Sequence, residues 1–254
     1  MSSYDPSRQP SRSASAPTRK HAPAPTSVTP AQAGVDAGLQ SFMQSVYHTM
    51  GFGLVVTGLT AFGVASIPAL FNLIFGTPLA WIVMLAPLGF IWFGFTPARM
   101  ARMSSEKLKL TFILFSAVMG LSMAAIFQIF TGASIARVFF ITAATFAATS
   151  LYGYTTKRDL AGVGSFLFMG LVGIFIAMIV NLFLQSSMVQ FVVSAIGVLV
   201  FTGLTAWETQ RLKEAYTPGA GEGNAKMAVV GALSLYLNFI NLFQMLLHFM
   251  GDRR

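Results

Sequence analysis

The sequence predicts an all-α, polytopic membrane protein in which seven transmembrane helices form one bundle. Seven apolar segments follow one another between positions 46 and 250. Each is about 20 residues long, which is the length a helix needs to cross a bilayer. The chain is 55% hydrophobic and 9% charged, whereas a soluble domain is about 25% charged. This composition places the chain in lipid.

The predicted spans are joined by short linkers, so consecutive helices should pack antiparallel. Pro68 ends the first span, and Pro87 lies inside the second, where a proline kinks or breaks a helix. The spans, in chain order, are 46–68, 78–98, 110–130, 136–154, 163–184, 189–215 and 227–249.

Residues 1–40 form a separate stretch that is rich in Ser, Pro and Ala. Large apolar side chains are too few there to offset the entropy of ordering the chain. We therefore expect a disordered tail at 1–40 and the transmembrane domain at 41–254. The chain has no cysteine, which excludes disulfides and cysteine metal ligands.

Lys and Arg gather on one side of the predicted membrane. The tail and the loops after the second, fourth and sixth spans hold 13 of the 16 basic residues. Cytoplasmic loops carry such an excess, so we expect a cytoplasmic amino terminus and an external carboxyl terminus. The net charge of +8 then reflects orientation and contact with the lipid bilayer, and it does not predict a nucleic-acid partner.

The sixth span carries Glu208 near its cytoplasmic end. An ionisable side chain inside a membrane costs about 2.5–3.5 kcal/mol on insertion scales, so it usually has a partner or a role. Two interpretations stay open. Glu208 either forms an ordinary pair with Arg211 at i+3 or is a buried carboxylate that responds to pH.

The seventh span carries a polar stripe. Ser234, Asn238, Asn241 and His248 follow at intervals of four, three and seven residues, which places them on one face of a helix. Such a face should point into the bundle or toward a water-filled cavity. The side chains either hydrogen-bond between helices or line an ion path.

Two arginines, Arg99 and Arg102, end the second span on the predicted cytoplasmic side. One interpretation is that they set orientation and contact lipid phosphates. The alternative is that one of them turns inward and pairs with Glu208.

Catalysis is not predicted. The three histidines, His21, His48 and His248, do not have metal-ligand spacing, and a zinc site needs three or four ligands. An intramembrane aspartyl protease needs two facing carboxyl groups, and we find no partner for Glu208. No glycine-rich phosphate loop is present. We therefore expect no enzyme, no bound metal and no cofactor.

Three stretches resemble the transmembrane Bax-inhibitor-motif family. They are YGYTTKRDL at 152–160, TAWETQ at 205–210 and LSLYLNFINLF at 233–243. The resemblance covers essentially residues 40–250 and identifies the chain as a bacterial member, located in the inner membrane. It implies a seven-helix bundle whose last helix lies near the centre.

The resemblance also implies a function. Bacterial relatives form a pH-sensitive calcium leak, in which two aspartates on helices six and seven share a proton and a basic residue at the end of helix two is their partner. These positions correspond here to Glu208 and Asn238, with Arg99 or Arg102 as the basic residue. The alternative is a non-conducting regulator that binds a membrane-bound protease.

This chain departs from the family pattern at both acidic positions. Glu208 keeps the charge on a longer side chain, whereas Asn238 loses it. Two close carboxylates titrate as a coupled pair, and a carboxylate facing an amide does not. We therefore expect this contact between helices six and seven, the latch, to be altered: it is either permanently formed or much less sensitive to pH. We also expect weaker calcium binding, since Ca²⁺ prefers several charged oxygen ligands.

Overall fold

A computed structural model describes residues 30–254, with side chains from Gly34 onward. Residues 1–29 of the tail predicted at 1–40 lie outside the described residues. Ten helices fill the described range: α1 Pro30–Ser66, α2 Pro68–Phe75, α3 Leu79–Gly94, α4 Pro97–Arg102, α5 Ser105–Met123, α6 Ile126–Ile129, α7 Gly132–Thr155, α8 Ala161–Leu184, α9 Ser187–Ala215 and α10 Glu222–Met250.

The first helix begins earlier than expected. Positions 30–40 were predicted to be disordered, but they are helical and continue unbroken into the first span as part of α1. The ring of Phe42 lies 5.6 Å from that of Tyr216, so this part of α1 packs against the chain after α9.

The predicted class, an all-α polytopic membrane protein, is confirmed. Within the described residues, six helices are long and apolar enough to cross a membrane, counting α5 with α6 as one. A seventh crossing results if α2 and α3, which are bent by 81° relative to each other, form one span. Pro68 starts α2, as its predicted breaking role requires, while α3 continues through Pro87 as one helix.

Burial differs sharply between the helices. In α10, 67% of the most apolar stretch is buried, against 6% in α8. The last helix contacts α1, α5, α7 and α9, whereas α8 packs mainly against α9 and presents its apolar side chains outward. The position of α10 near the centre of the bundle stays a prediction, which these contacts support.

Hydrogen bonds near the helix ends define two ends of the bundle. At the first, Lys226 Nζ donates to Ala101 O at 3.2 Å, and Lys213 Nζ donates to Tyr154 O at 2.8 Å. We call this the basic end. Its Lys and Arg residues within the described range are Arg99, Arg102, Lys107, Lys109, Lys157, Arg158, Arg211, Lys213 and Lys226.

At the opposite end, the last residues of the chain fold back over the start of α7. Arg137 pairs with Asp252 at 2.7 Å, and Arg254 N donates to Ile129 O at 3.0 Å. Gln190 Nε2 and His248 Nδ1 lie 3.0 Å apart and link α9 to α10. The carboxyl terminus therefore closes this end of the bundle.

Candidate functional site

Glu208 is a buried carboxylate, one of the two arrangements that the sequence left open. The residue is 3% exposed. Thr205, which lies one turn earlier, and Thr209, the next residue, are fully buried. Its partner is Arg211, whose Nη1 lies 3.6 Å from Glu208 Oε2. The Arg211 side chain is 56% exposed and lies over the ring of Trp207. The pair thus joins a buried anion to a solvent-accessible cation by a long contact.

The structure does not bring Arg99 or Arg102 to Glu208. Both side chains are exposed, and Arg99 Nη1 donates to Phe93 O at 2.9 Å, capping the end of α3. The helix is interrupted at Thr96, and α4 forms a separate short helix. This interruption turns both arginines away from the bundle. Among the described residues, the ion pair of Glu208 is with Arg211, the third basic candidate.

The polar stripe of α10 is half-buried. Ser234, Asn238 and Asn241 lie between the exposed and the buried faces of the helix. Asn241 Nδ2 donates to Leu237 O at 2.8 Å, within its own helix. Among the described residues, no hydrogen bond joins Asn238 to Glu208. Of the stripe residues, His248 makes an interhelical contact, to Gln190 of α9, whereas among the described residues Ser234, Asn238 and Asn241 make none.

A different residue carries the buried polar group of α10. Tyr236 is fully buried, and its hydroxyl lies 2.6 Å from Thr57 Oγ1 of α1. Thr57 in turn donates to the carbonyl of Ser116 on α5 at 2.9 Å. Because the Thr57 hydrogen is directed at carbonyls, Tyr236 donates to Thr57. This contact joins α1, α5 and α10 at one point.

The sequence analysis missed the Tyr236 cluster. A tyrosine in the middle of an apolar span was the available signal, because a buried hydroxyl needs a partner. The partner, Thr57, is 179 positions away in the chain and has no pattern that marks it.

A second hydroxyl cluster joins α1, α7 and α9. Tyr47 OH lies 2.6 Å from Ser150 Oγ, which lies 2.9 Å from Thr209 Oγ1. Thr209 donates to Thr205 O at 2.8 Å. The chain of hydroxyls runs from the outside of α1 to the helical turn that carries Glu208. The sequence analysis did not single out these residues.

Two of the stretches that carry the family resemblance bind each other. Gln210 of α9 donates from Nε2 to Arg158 O and accepts from Leu160 N, both at 2.8 Å. These two bonds hold the loop between α7 and α8 against α9. A Cβ on Gly153 would meet the backbone of Ala206, so this glycine permits α7 to touch α9. The loop after α7 is thereby fixed beside Glu208.

The chemistry of this region is limited by its donor set. Within residues 34–254, no three His, Asp or Glu side chains gather at one point. Glu208 supplies one negative charge, and the buried hydroxyls of Thr205 and Thr209 lie beside it in α9.

Comparison with known proteins gives consistent matches over the transmembrane part of the chain. A family model described as "Inhibitor of apoptosis-promoting Bax1" matches residues 39–254. A Caulobacter vibrioides protein is 44% identical over 237 residues, covering 88% of this chain and 93% of that protein. Inner membrane protein YbhL of Escherichia coli K12 is 43% identical over 222 residues, covering 86% and 94%. Protein RP147 of Rickettsia prowazekii is 43% identical over 223 residues, covering 86% and 92%.

Proposed function

The chain belongs to the Bax inhibitor family of membrane proteins, and from that premise we propose that it forms a pH-sensitive cation leak with calcium as the transported ion. Its apolar helices and its similarity to the inner membrane protein YbhL support a multi-pass location in the bacterial inner membrane. The basic end faces the cytoplasm in this proposal, since Lys and Arg accumulate on cytoplasmic loops. The carboxyl terminus then lies outside.

The burial of Glu208 is the observation that carries the proposal. A carboxylate that is 3% exposed loses most of its hydration, and a contact of 3.6 Å to a largely exposed guanidinium compensates only in part. An anion buried in this way attracts a passing cation, which would complete the compensation of its charge. Glu208 is therefore the proposed sensor, and Arg211 is its basic partner.

The half-buried stripe of α10 is the proposed continuation of the path. Ser234, Asn238 and Asn241 offer neutral oxygen atoms to an ion without holding it tightly. Asn238 also makes the latch unusual, because it cannot share a proton with Glu208 as a second carboxyl group would. The pH response of this chain then depends on a single carboxylate.

Calcium flux into proteoliposomes tests the proposal. We expect the native chain to conduct calcium at rates that differ between a lower and a higher pH. Glu208→Gln should make the flux independent of pH, because the amide cannot ionise. Asn238→Asp should increase calcium flux about tenfold at the higher pH, since a second carboxylate adds a charged oxygen ligand.

The matched control is Glu214→Gln, which removes an exposed carboxylate from the same helix and should keep the native pH profile. A native chain that leaves calcium outside the vesicles at every pH, together with an equally inactive Asn238→Asp variant, would refute the leak.

The alternative is a non-conducting regulator that binds a membrane-bound protease. The loss of the second acidic residue at Asn238 favours it, because the family latch is incomplete here. The two functions differ in whether water reaches the α10 stripe.

Single cysteines at positions 234, 238 and 241 separate the two functions, and the cysteine-free chain makes this test direct. For a leak we expect a water-soluble thiol reagent to label all three positions, at a rate well above that of a control cysteine at Leu235, which is fully buried. If the three stripe positions are labelled no faster than position 235, a water-filled path is excluded and the regulator function remains.

A further inference from the structure

A cleft of about 640 Å³ opens on the side of the bundle, between the first turns of α1 and the end of α7. The Tyr47–Ser150 hydrogen bond closes its floor. The end of α7 also locates the cleft in the membrane, because Tyr154 lines it and accepts a hydrogen bond from Lys213. Tyr and Lys at a helix end mark the membrane–water interface. The apolar walls are formed by Leu39, Met43, Phe146, Ala147 and Leu151.

One wall of the cleft is a polar face of α1. Asp36, Gln40, Gln44 and Tyr47 follow at intervals of four, four and three residues, so they lie on one side of the helix, and all four line the cleft. Asp36 is the charged member of the lining. A carboxylate thus occupies the cleft at the end of the protein where Lys and Arg prevail.

The hydrogen bonds behind the cleft fix the direction of the Tyr47 hydroxyl. Thr209 gives its hydrogen to Thr205 O, so its oxygen accepts from Ser150. Ser150 has one hydroxyl hydrogen and must therefore accept from Tyr47. The Tyr47 oxygen presents only lone pairs to the cleft. Together with the Asp36 carboxylate and the glutamine carbonyls, it makes a wall that favours a ligand carrying hydrogen-bond donors.

We propose that this cleft binds the primary ammonium headgroup of phosphatidylethanolamine from the leaflet at the basic end. An ammonium group carries three N–H donors and a positive charge, which match the Asp36 carboxylate and the acceptor oxygens beside it. The amide N–H groups of Gln40 and Gln44 can donate to the lipid phosphate, and the apolar walls receive the start of the acyl chains. A choline headgroup has the same charge but no N–H, so the cleft distinguishes the two.

Lipid titration of the purified, delipidated full chain, followed by native mass spectrometry, tests this proposal. The probes are phosphatidylethanolamine, phosphatidylcholine and phosphatidylglycerol with identical acyl chains. We expect the native chain to bind phosphatidylethanolamine about tenfold more tightly than phosphatidylcholine, the effect of one partly exposed charge-assisted hydrogen bond. Asp36→Asn should abolish this preference, while Glu214→Gln, which removes an exposed carboxylate outside the cleft, should preserve it.

A second variant keeps the test decisive if Asp36→Asn lowers the yield of folded protein. Tyr47→Phe keeps the ring and removes the acceptor oxygen, so we expect it to reduce the preference about threefold, as the loss of one neutral hydrogen bond would. The proposal would be overturned if the native chain bound the ethanolamine and choline lipids equally, or if both variants kept the native preference. Tighter binding of phosphatidylglycerol than of either lipid would also overturn it.

Discussion

Replacing Gly153 with leucine should prevent α7 from packing against α9 and remove most of the folded protein. A Cβ at this position would meet the carbonyl oxygen and Cα of Ala206. Backbone atoms of a packed helix cannot move aside as the tip of a side chain can, so the two helices must separate. We expect a loss of at least about 3 kcal/mol in the free energy of unfolding, the upper range for overpacking. Unfolding in mixed micelles measures it.

The control for this variant is Gly173→Leu on α8. A Cβ at Gly173 has nothing within 4 Å, and the position is exposed on a helix that is buried over only 6% of its most apolar stretch. Leucine there should be neutral or slightly stabilising, because glycine costs a helix about 1 kcal/mol relative to alanine. Equal unfolding of the Gly153 and Gly173 variants would contradict the close contact between α7 and α9.

Helix positions could be predicted closely from the sequence. The spans expected at 163–184 and 189–215 are α8, Ala161–Leu184, and α9, Ser187–Ala215. The helices α5 and α10 start five residues earlier than the spans expected there. The reason is physical: in a bilayer every backbone N–H and C=O must be satisfied within the segment, so a long apolar run has to be helical. The exception, the start of α1 at Pro30, lies before the first apolar run, where that argument does not apply.

Which face of each helix is buried could not be predicted. Lipid tails are as apolar as leucine, so hydrophobic periodicity does not separate the interior from the lipid-facing side. The glycines illustrate this. A Cβ on Gly53 would meet Phe112 and one on Gly120 would meet the Thr57 backbone, so both glycines lie at close helix contacts, whereas a Cβ on Gly58 or Gly63 would have nothing within 4 Å.

The candidate site could be predicted only in part from the sequence. The sequence left open whether Glu208 is buried or pairs with Arg211 at i+3, and the structure has both features. The exclusion of Arg99 depends on the break at Thr96, which Pro97 could have indicated, because the residue before a proline avoids the helical conformation. Contacts across the chain, such as Tyr47 with Ser150, depend on how whole helices pack and leave no local signal.

Truncation of Tyr236 to alanine should have the second large effect on stability. The ring is fully buried and meets Phe112 and Phe115 edge-on at 5.4 and 5.9 Å, so its removal leaves a cavity where α1, α5 and α10 join. We expect a loss of about 3–5 kcal/mol, whereas Tyr236→Phe should lose about 1 kcal/mol with the hydrogen bond to Thr57. The control Tyr152→Ala removes the same side chain from a 50% exposed position and should change little. If both alanine variants unfold alike in mixed micelles, Tyr236 does not join these helices.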